Sequence, residues 1–334
     1  MSIFDNPDSS ILENYKFDEF MGAAKNRRMP FAFHLHALRQ HWRNPVPSQA
    51  ELHAACARIG RAGFDGLDVS DSWPFEALTA DAATAVRTIA AEHGLQIPLI
   101  SCMGKTLCHP ALGARNLQAL QAALDVAERL GAQTVNIALS VPRTPGVTPV
   151  MGAPHSPGGS LHATPDDFAL TAERLRLLAA QAAARGLSLA IELHDRSIAD
   201  TSAALLQLLE RIDAPNVGAN PDLCNGYRAY ETPPETWQAA LAALAPRMNL
   251  WHVNNLQRIH FAELRRAAFV ECSLADGDVD YSLALREVQA SGFDGWVVIE
   301  YKGQGDAFAT TAAGLRYLAA LQADATAAAA SATA

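Results

Sequence analysis

The feature that most constrains this chain is a strict alternation. Short apolar runs rich in β-branched residues are each followed by an Ala/Leu-rich stretch with helical spacing, about eight times over. "FAFHLHA" (31–37) reads as a first strand, and Ser48 and Glu51 then stand in capping-box spacing before "LHAACARIGRAG". "GFDGLDVSD" (63–71) is a second strand, with a helix reaching about residue 94, and "LQIPLISCMG" (95–104) is a third. The helical stretch 115–132 leads into a fourth, "QTVNIAL". Thr164-Pro165 supply the N-cap and first turn of a long helix that Gly186 ends. Strands at 187–193, 216–222, 248–254 and 295–301 follow, with helices at 201–212 and 233–245 and a last one at the end. Alternating βα units imply parallel strands joined by right-handed crossovers. Eight of them predict a single-domain (β/α)8 TIM barrel over residues 29–322, since no GxGxxG follows any strand to suggest a doubly wound sheet. Residues 1–28 form an N-terminal extension, and the low-complexity residues 323–334 a disordered tail.

Composition narrows the function. Apolar residues make up 49%, enough for a sizeable core, yet no run of 18 or more could span a membrane. The first twenty residues are acidic and polar, unlike a signal peptide, and five cysteines without a CxxC pair read as reduced thiols. Both point to the cytoplasm. With a net charge of −9 and no basic cluster beyond "KNRR" (25–28), the chain lacks the surface that neutralises nucleic-acid phosphates. A small-molecule substrate is the remaining class of partner. The Gly-, Pro- and Ser-rich loop 140–163 predicts a lid or a contact with another chain, so a homo-oligomer or a partner subunit is expected.

The last four barrel strands end in titratable residues: Glu192, Asp222, His252 and Glu300. The first three recur every 30 residues, one βα unit each, and Glu300 follows 48 residues later, which leaves room for an insertion. Active sites of such barrels lie at the C-terminal ends of the strands. Three acids and an imidazole converging there would repel one another or suffer desolvation without a positive partner. A divalent cation satisfies all four. The oxygen-rich, thiolate-free set suits Mn²⁺ foremost, with Mg²⁺, Co²⁺ or Zn²⁺ also able to bind.

These residues, together with "GDVDYSLALREVQASGFDGWVVIEY" (277–301), resemble the xylose isomerase-like TIM barrels, a superfamily of sugar epimerases, isomerases, inosose dehydratases and endonuclease IV. The resemblance runs from "MPFAFHLH" to the last helix. It implies Glu192, Asp222, His252 and Glu300 as metal ligands, and Arg258, six residues after His252, as a contact for substrate oxygens. Two features depart from the ketose 3-epimerases. Asn225 stands where they have a histidine, and Ile198 stands where they have a second glutamate. The residues that would hold the further zinc ions of endonuclease IV are absent as well, which with the negative charge excludes DNA repair.

Further candidates lie near the same strand ends. His34 and His36 sit two apart in the first strand run, and His194 follows Glu192 by two, so His34 and His194 are candidate substrate contacts. Asn136, Asn254 and Asn255 offer hydrogen bonds to hydroxyls, and Lys302 offers a charge for an oxyanion but fits better as the partner of an acid. Trp73 and Trp251 offer flat faces for a sugar ring, although Trp251, alternating against His252, fits the core better. The chemistry expected is abstraction of a proton beside a metal-polarised carbonyl, with Glu192 and Glu300 as bases. The resulting enediolate leads to epimerisation or isomerisation of an unphosphorylated keto-sugar or polyol. The alternative is a lyase that expels a β-substituent, as in inosose dehydration or C-glycoside deglycosidase-like cleavage of a 3-keto-glycoside.

Overall fold

The computed structural model describes residues 28–139, 159–228, 230 and 233–332. The barrel strands are β1 (Phe31–His34), β2 (Gly66–Ser70), β3 (Gln96–Cys102), β4 (Thr134–Ile137), β5 (Ser188–Glu192), β6 (Val217–Asn220), β7 (Trp251–Val253) and β10 (Val297–Ile299). They are parallel and ordered β6-β5-β4-β3-β2-β1-β10-β7. The ring closes where Ala219 bridges Met248 and the Asn249 amide donates to Ala219 O at 3.1 Å. At this seam the Asn249 carboxamide passes Gly218 to donate to Leu189 O at 2.8 Å. A Cβ on Gly218 would come within 2.7 Å of Asn249 Oδ1, so only glycine lets the seam close. The result is the (β/α)8 barrel that the alternation predicts.

The helices are α1 (Gln49–Ala62), α2 (Ala80–Glu92), α3 (Gly113–Leu130), α4 (Pro165–Ala183), α5 (Ser202–Ile212), α6 (Trp237–Leu244), α7 (Tyr281–Ala290) and α8 (Ala307–Ala332). Ser48 and Glu51 form the expected capping box, and Thr164 forms one with Asp167. Each such cap satisfies backbone donors that a helix start leaves open, typically worth about 1 kcal/mol. The last helix continues through residues 323–332, where low complexity pointed to a frayed tail. Alanine's helix propensity, the highest of any residue, accounts for the difference. Among the described residues no helix is long and apolar enough to cross a membrane.

Two other elements differ from expectation. β1 stops at His34, and residues 35–41 form a 3-10 helix, so His36 is not on the strand. The His34 ring accepts the His36 N–H at 3.2 Å, which draws that amide out of the ladder. The insertion expected before the last strand is an antiparallel hairpin, β8 (Asn255–Phe261) and β9 (Arg266–Cys272), followed by α7.

Apolar side chains fill two layers. Phe31, Phe33, Leu67, Val69, Val135 and their neighbours pack outward against the helices. Ala32, Leu99, Ala190, Leu250 and Val298, with Trp296 against them, plug the barrel's interior. That inner plug is the floor on which the site stands.

Candidate active site

Side chains alternate along a strand, so the residue two beyond an inward-facing one also faces inward. Two residues beyond the plug stand His34, Ser101, Glu192, His252 and Glu300. Strands β2, β4 and β6 add Asp68, Asn136 and Asn220. Every barrel strand therefore delivers one polar side chain to a single layer, each at most 3% exposed.

Close contacts tie this layer together. Ser101 Oγ donates to Asp68 Oδ2 at 2.8 Å, and Asn136 Nδ2 donates to Glu192 Oε2 at 2.7 Å. Asn220 Nδ2 donates to Asn136 Oδ1 at 3.0 Å, and the His252 amide donates to Asn220 Oδ1 at 2.7 Å. His34 Nε2 lies 3.4 Å from Asp68 Oδ2 and 3.6 Å from Glu300 Oε1. His252 reaches Asp68 Oδ2 with Nε2 at 3.5 Å and Glu192 Oε2 with Nδ1 at 3.9 Å.

The structure brings Glu192, His252, Glu300 and His34 together. Asp222 is not in their layer. β6 ends at Asn220, so Asp222 stands two residues past the strand, one layer higher, beside Asn254 and Lys302, which stand two beyond His252 and Glu300. Asn254 Nδ2 donates to both Asp222 oxygens, at 2.8 and 2.7 Å, and Asn225 Nδ2 adds a bond at 2.8 Å. Among the described residues no three His, Cys, Asp or Glu side chains surround a common point as ligands would.

The set still fits a hard divalent ion by its chemistry. Both ring nitrogens of His252, Glu300 Oε2, Asp68 Oδ1 and His34 Nε2 are buried without a hydrogen-bond partner. Buried polar atoms are normally paired, so a cluster of orphans marks a place built for another occupant.

Burial governs the charges. It pushes the His34 imidazole down to about 3, against the pull of Glu300, and lowers His252 as well. Both rings are neutral at neutral pH, so each has one N–H and one lone pair; His34 uses its lone pair, at Nδ1, for the His36 N–H. Burial raises Asp68 well above the usual carboxylate range, with Glu300 and Glu192 adding to the effect, and raises Asp222 likewise, chiefly with Glu192. Burial, the largest influence, would raise Glu300 too, but its neighbours together, led by the Lys302 ammonium 2.9 Å from Oε1, hold this carboxyl below its ordinary value. Farther out, Arg228 is buried and pairs with Glu271 on β9 at 3.2 Å.

Other expected residues lie outside this cluster. Arg258 is on β8, its backbone N–H bonded to Asp278 at 3.0 Å and its guanidinium donating to Tyr230 O. His194 lies past β5, its Nδ1 2.8 Å from Asp195 O. Trp73 and Trp251 are buried in the outer core, so neither offers a face to a sugar. Residues 140–158 of the long loop lie outside the described residues; at its end, the Ser160 amide bonds to Asp200 at 3.1 Å. Sequence reasoning missed Asp68, Ser101 and Asn220 as site residues. Asp68 carried a signal: an acid in mid-strand, two past Gly66 in "GLDVS".

Comparison with known proteins agrees with the fold. The family model for the xylose isomerase-like TIM barrel matches residues 53–321. No curated protein matches the chain. A xylose isomerase-like TIM barrel protein from Mycobacterium smegmatis, solved in complex with magnesium, is 23% identical, covers 90% of this chain and 99% of its own, and superposes with a TM-score of 0.74. An L-ribulose 3-epimerase is 18% identical over 92% of this chain and 99% of its own, with a TM-score of 0.67. A probable 3-DHS dehydratase from Bacillus anthracis is 16% identical over 87% of this chain and 99% of its own, with a TM-score of 0.63.

Proposed function

Because the chain belongs to the xylose isomerase-like TIM barrel family, we propose that it is a divalent-metal-dependent isomerase or epimerase. It acts through an enediolate on an unphosphorylated keto-sugar or related polyol. One observation carries this reading. Glu192 on β5 and Glu300 at the end of β10 enter the same buried layer from opposite sides of His252 on β7, whose ring nitrogens are buried without a hydrogen bond.

Glu192, Asp222, His252 and Glu300 would hold the ion, Mn²⁺ by preference, and the ion would supply Lewis acidity toward a substrate carbonyl. The chain's own groups do the rest. Asn136 and Asn225 each donate to one Glu192 oxygen, at 2.7 and 3.1 Å, and so aim that carboxylate. Lys302 keeps Glu300 ionised, and so able to accept a proton. With one base on each side, a proton taken from the carbon beside the carbonyl on one face returns to the other, which is epimerisation. Return to the neighbouring carbon is isomerisation. The buried layer keeps bulk water from the reacting carbon. His34, His194 and Arg258 are the proposed substrate contacts. The epimerase and the magnesium-bound protein among the structural neighbours support this reading.

A second reading, elimination, is favoured by Asn225. An amide carries no proton to transfer at neutral pH, so the position where the epimerases have a histidine cannot relay one here. A dehydratase among the structural neighbours supports that lyase alternative.

The test is incubation with Mn²⁺ in D₂O against ketoses and 3-keto-glycosides. Deuterium beside the carbonyl reports the step that both readings share. Epimer or aldose as product selects the first reading, and release of water or an aglycone selects the second. No deuterium uptake and no turnover on either panel would overturn both.

A further inference from the structure

Asn225 lies in the 3-10 turn Leu223–Tyr227 that carries the chain away from β6, three residues after Asp222. Its side chain is completely buried. Nδ2 lies 2.8 Å from Asp222 Oδ2, 3.1 Å from Glu192 Oε1 and 3.1 Å from Leu193 O. One amide nitrogen, with two hydrogens to give, therefore serves an oxygen from each of two carboxylates. Its own Oδ1 is buried without a hydrogen-bond partner.

Two carboxylates within reach of one nitrogen repel each other, and the repulsion grows as water is excluded. We propose that Asn225 is a positioning residue that clamps Glu192 and Asp222 into a preformed pair before any cation arrives. The inference rests on the metal-site reading above and adds to it the group that builds half of the site. The two carboxylates do not depend on the clamp equally. Asp222 keeps its two bonds from Asn254 when Asn225 is lost, whereas Glu192 Oε1 loses its amide donor. Glu192 then keeps a single bond, from Asn136 to Oε2, and can turn about it. An amide suits the task because it donates to both acids without adding charge. A carboxylate at the same place would add a third negative charge and remove the donor.

Two readouts test this. Titration of free Mn²⁺ by electron paramagnetic resonance should give Asn225→Ala an affinity roughly 10- to 100-fold below the parent, the range typical of groups that orient metal ligands. Asn225→Asp should melt below Asn225→Ala in chelator and regain more on adding Mn²⁺, because the ion offsets the added charge. If Asn225→Ala does not fold, Asn225→Ser replaces it. The second readout needs no metal: a double-mutant cycle of Asn225→Ala with Glu192→Gln, followed by thermal unfolding in chelator. Losses in Tm that fall short of additive support the clamp, because neutralising Glu192 removes what Asn225 holds. Additive losses, or parental Mn²⁺ affinity in the variants, overturn it. A parent protein that binds no Mn²⁺ would overturn the metal-site reading alone, and the cycle in chelator would still decide the role of Asn225.

Discussion

His252 Nε2 stands 3.5 Å from Asp68 Oδ2, the same oxygen that His34 Nε2 approaches to 3.4 Å. Ser101 pins that oxygen at 2.8 Å, and the two imidazoles meet edge to face with centroids 5.8 Å apart. One carboxyl on β2 thus lies against both rings. Asp68→Asn keeps the size and changes the polarity on that side of His252. Mn²⁺ affinity or kcat should fall by about 10- to 100-fold, as for other groups that orient ligands, while the far-UV circular dichroism stays parental. Parental kinetics and affinity would reduce Asp68 to a packing residue.

The burial of His34 has a pH signature. Its ring titrates at about 3 in the folded chain and near 6.5 when unfolded. Between those values the unfolded chain binds more protons, so stability rises with pH. The contribution of this group is fully present above about pH 6.5 and is lost as pH falls toward 3. Its slope approaches about 1.4 kcal/mol per pH unit. Urea unfolding of the parent and of His34→Gln across this range should show a difference that shrinks as the solution is acidified. A difference independent of pH would contradict the buried neutral ring.

Lys302 Nζ lies 2.9 Å from Glu300 Oε1, so this carboxylate has a cationic partner within the chain itself. Lys302→Met leaves a buried carboxylate without that partner. The ammonium is partly solvated, 23% exposed, so the loss should be about 1–3 kcal/mol rather than the full cost of breaking a buried pair. Mn²⁺ should restore part of it. Unfolding with and without Mn²⁺ measures both effects, and equal losses in the two conditions would separate Lys302 from the metal site.

Arg258 is placed on the hairpin, with its guanidinium on Tyr230 O. If it also reaches substrate oxygens, Arg258→Ala should lower kcat/KM by about 10²–10³-fold with metal content unchanged. Parental kinetics would leave it the task of holding β8 against the segment that follows β6.

The barrel was legible because its eight βα units each carry their own periodicity, and strand alternation alone brought Glu192, His252, Glu300 and His34 to one rim. The layer of Asp222 was not legible. β6 ends at Asn220 rather than at Asp222, and a shift of two changes the layer while keeping the face. Asp68 lies within the second strand run rather than at its end, so its place at the rim does not stand out in the sequence. The hairpin lay hidden in the 48-residue interval, since "NLQRIHF" offers no clean alternation of apolar and polar residues. Side-chain pairings such as Asn136 on β4 with Glu192 on β5 depend on which atoms meet across strands, which spacing does not encode.

The most direct measurement is solvent deuterium exchange into a keto-sugar that the parent protein turns over. It is made before and after exhaustive chelation, with metal content checked by elemental analysis, and repeated for Glu192→Gln and Glu300→Gln. The expected result is one divalent ion per chain, exchange that disappears with the ion and returns with Mn²⁺, and no exchange in either variant. Undiminished exchange by protein shown to be free of metal would contradict the proposed chemistry at Glu192, Asp222, His252 and Glu300.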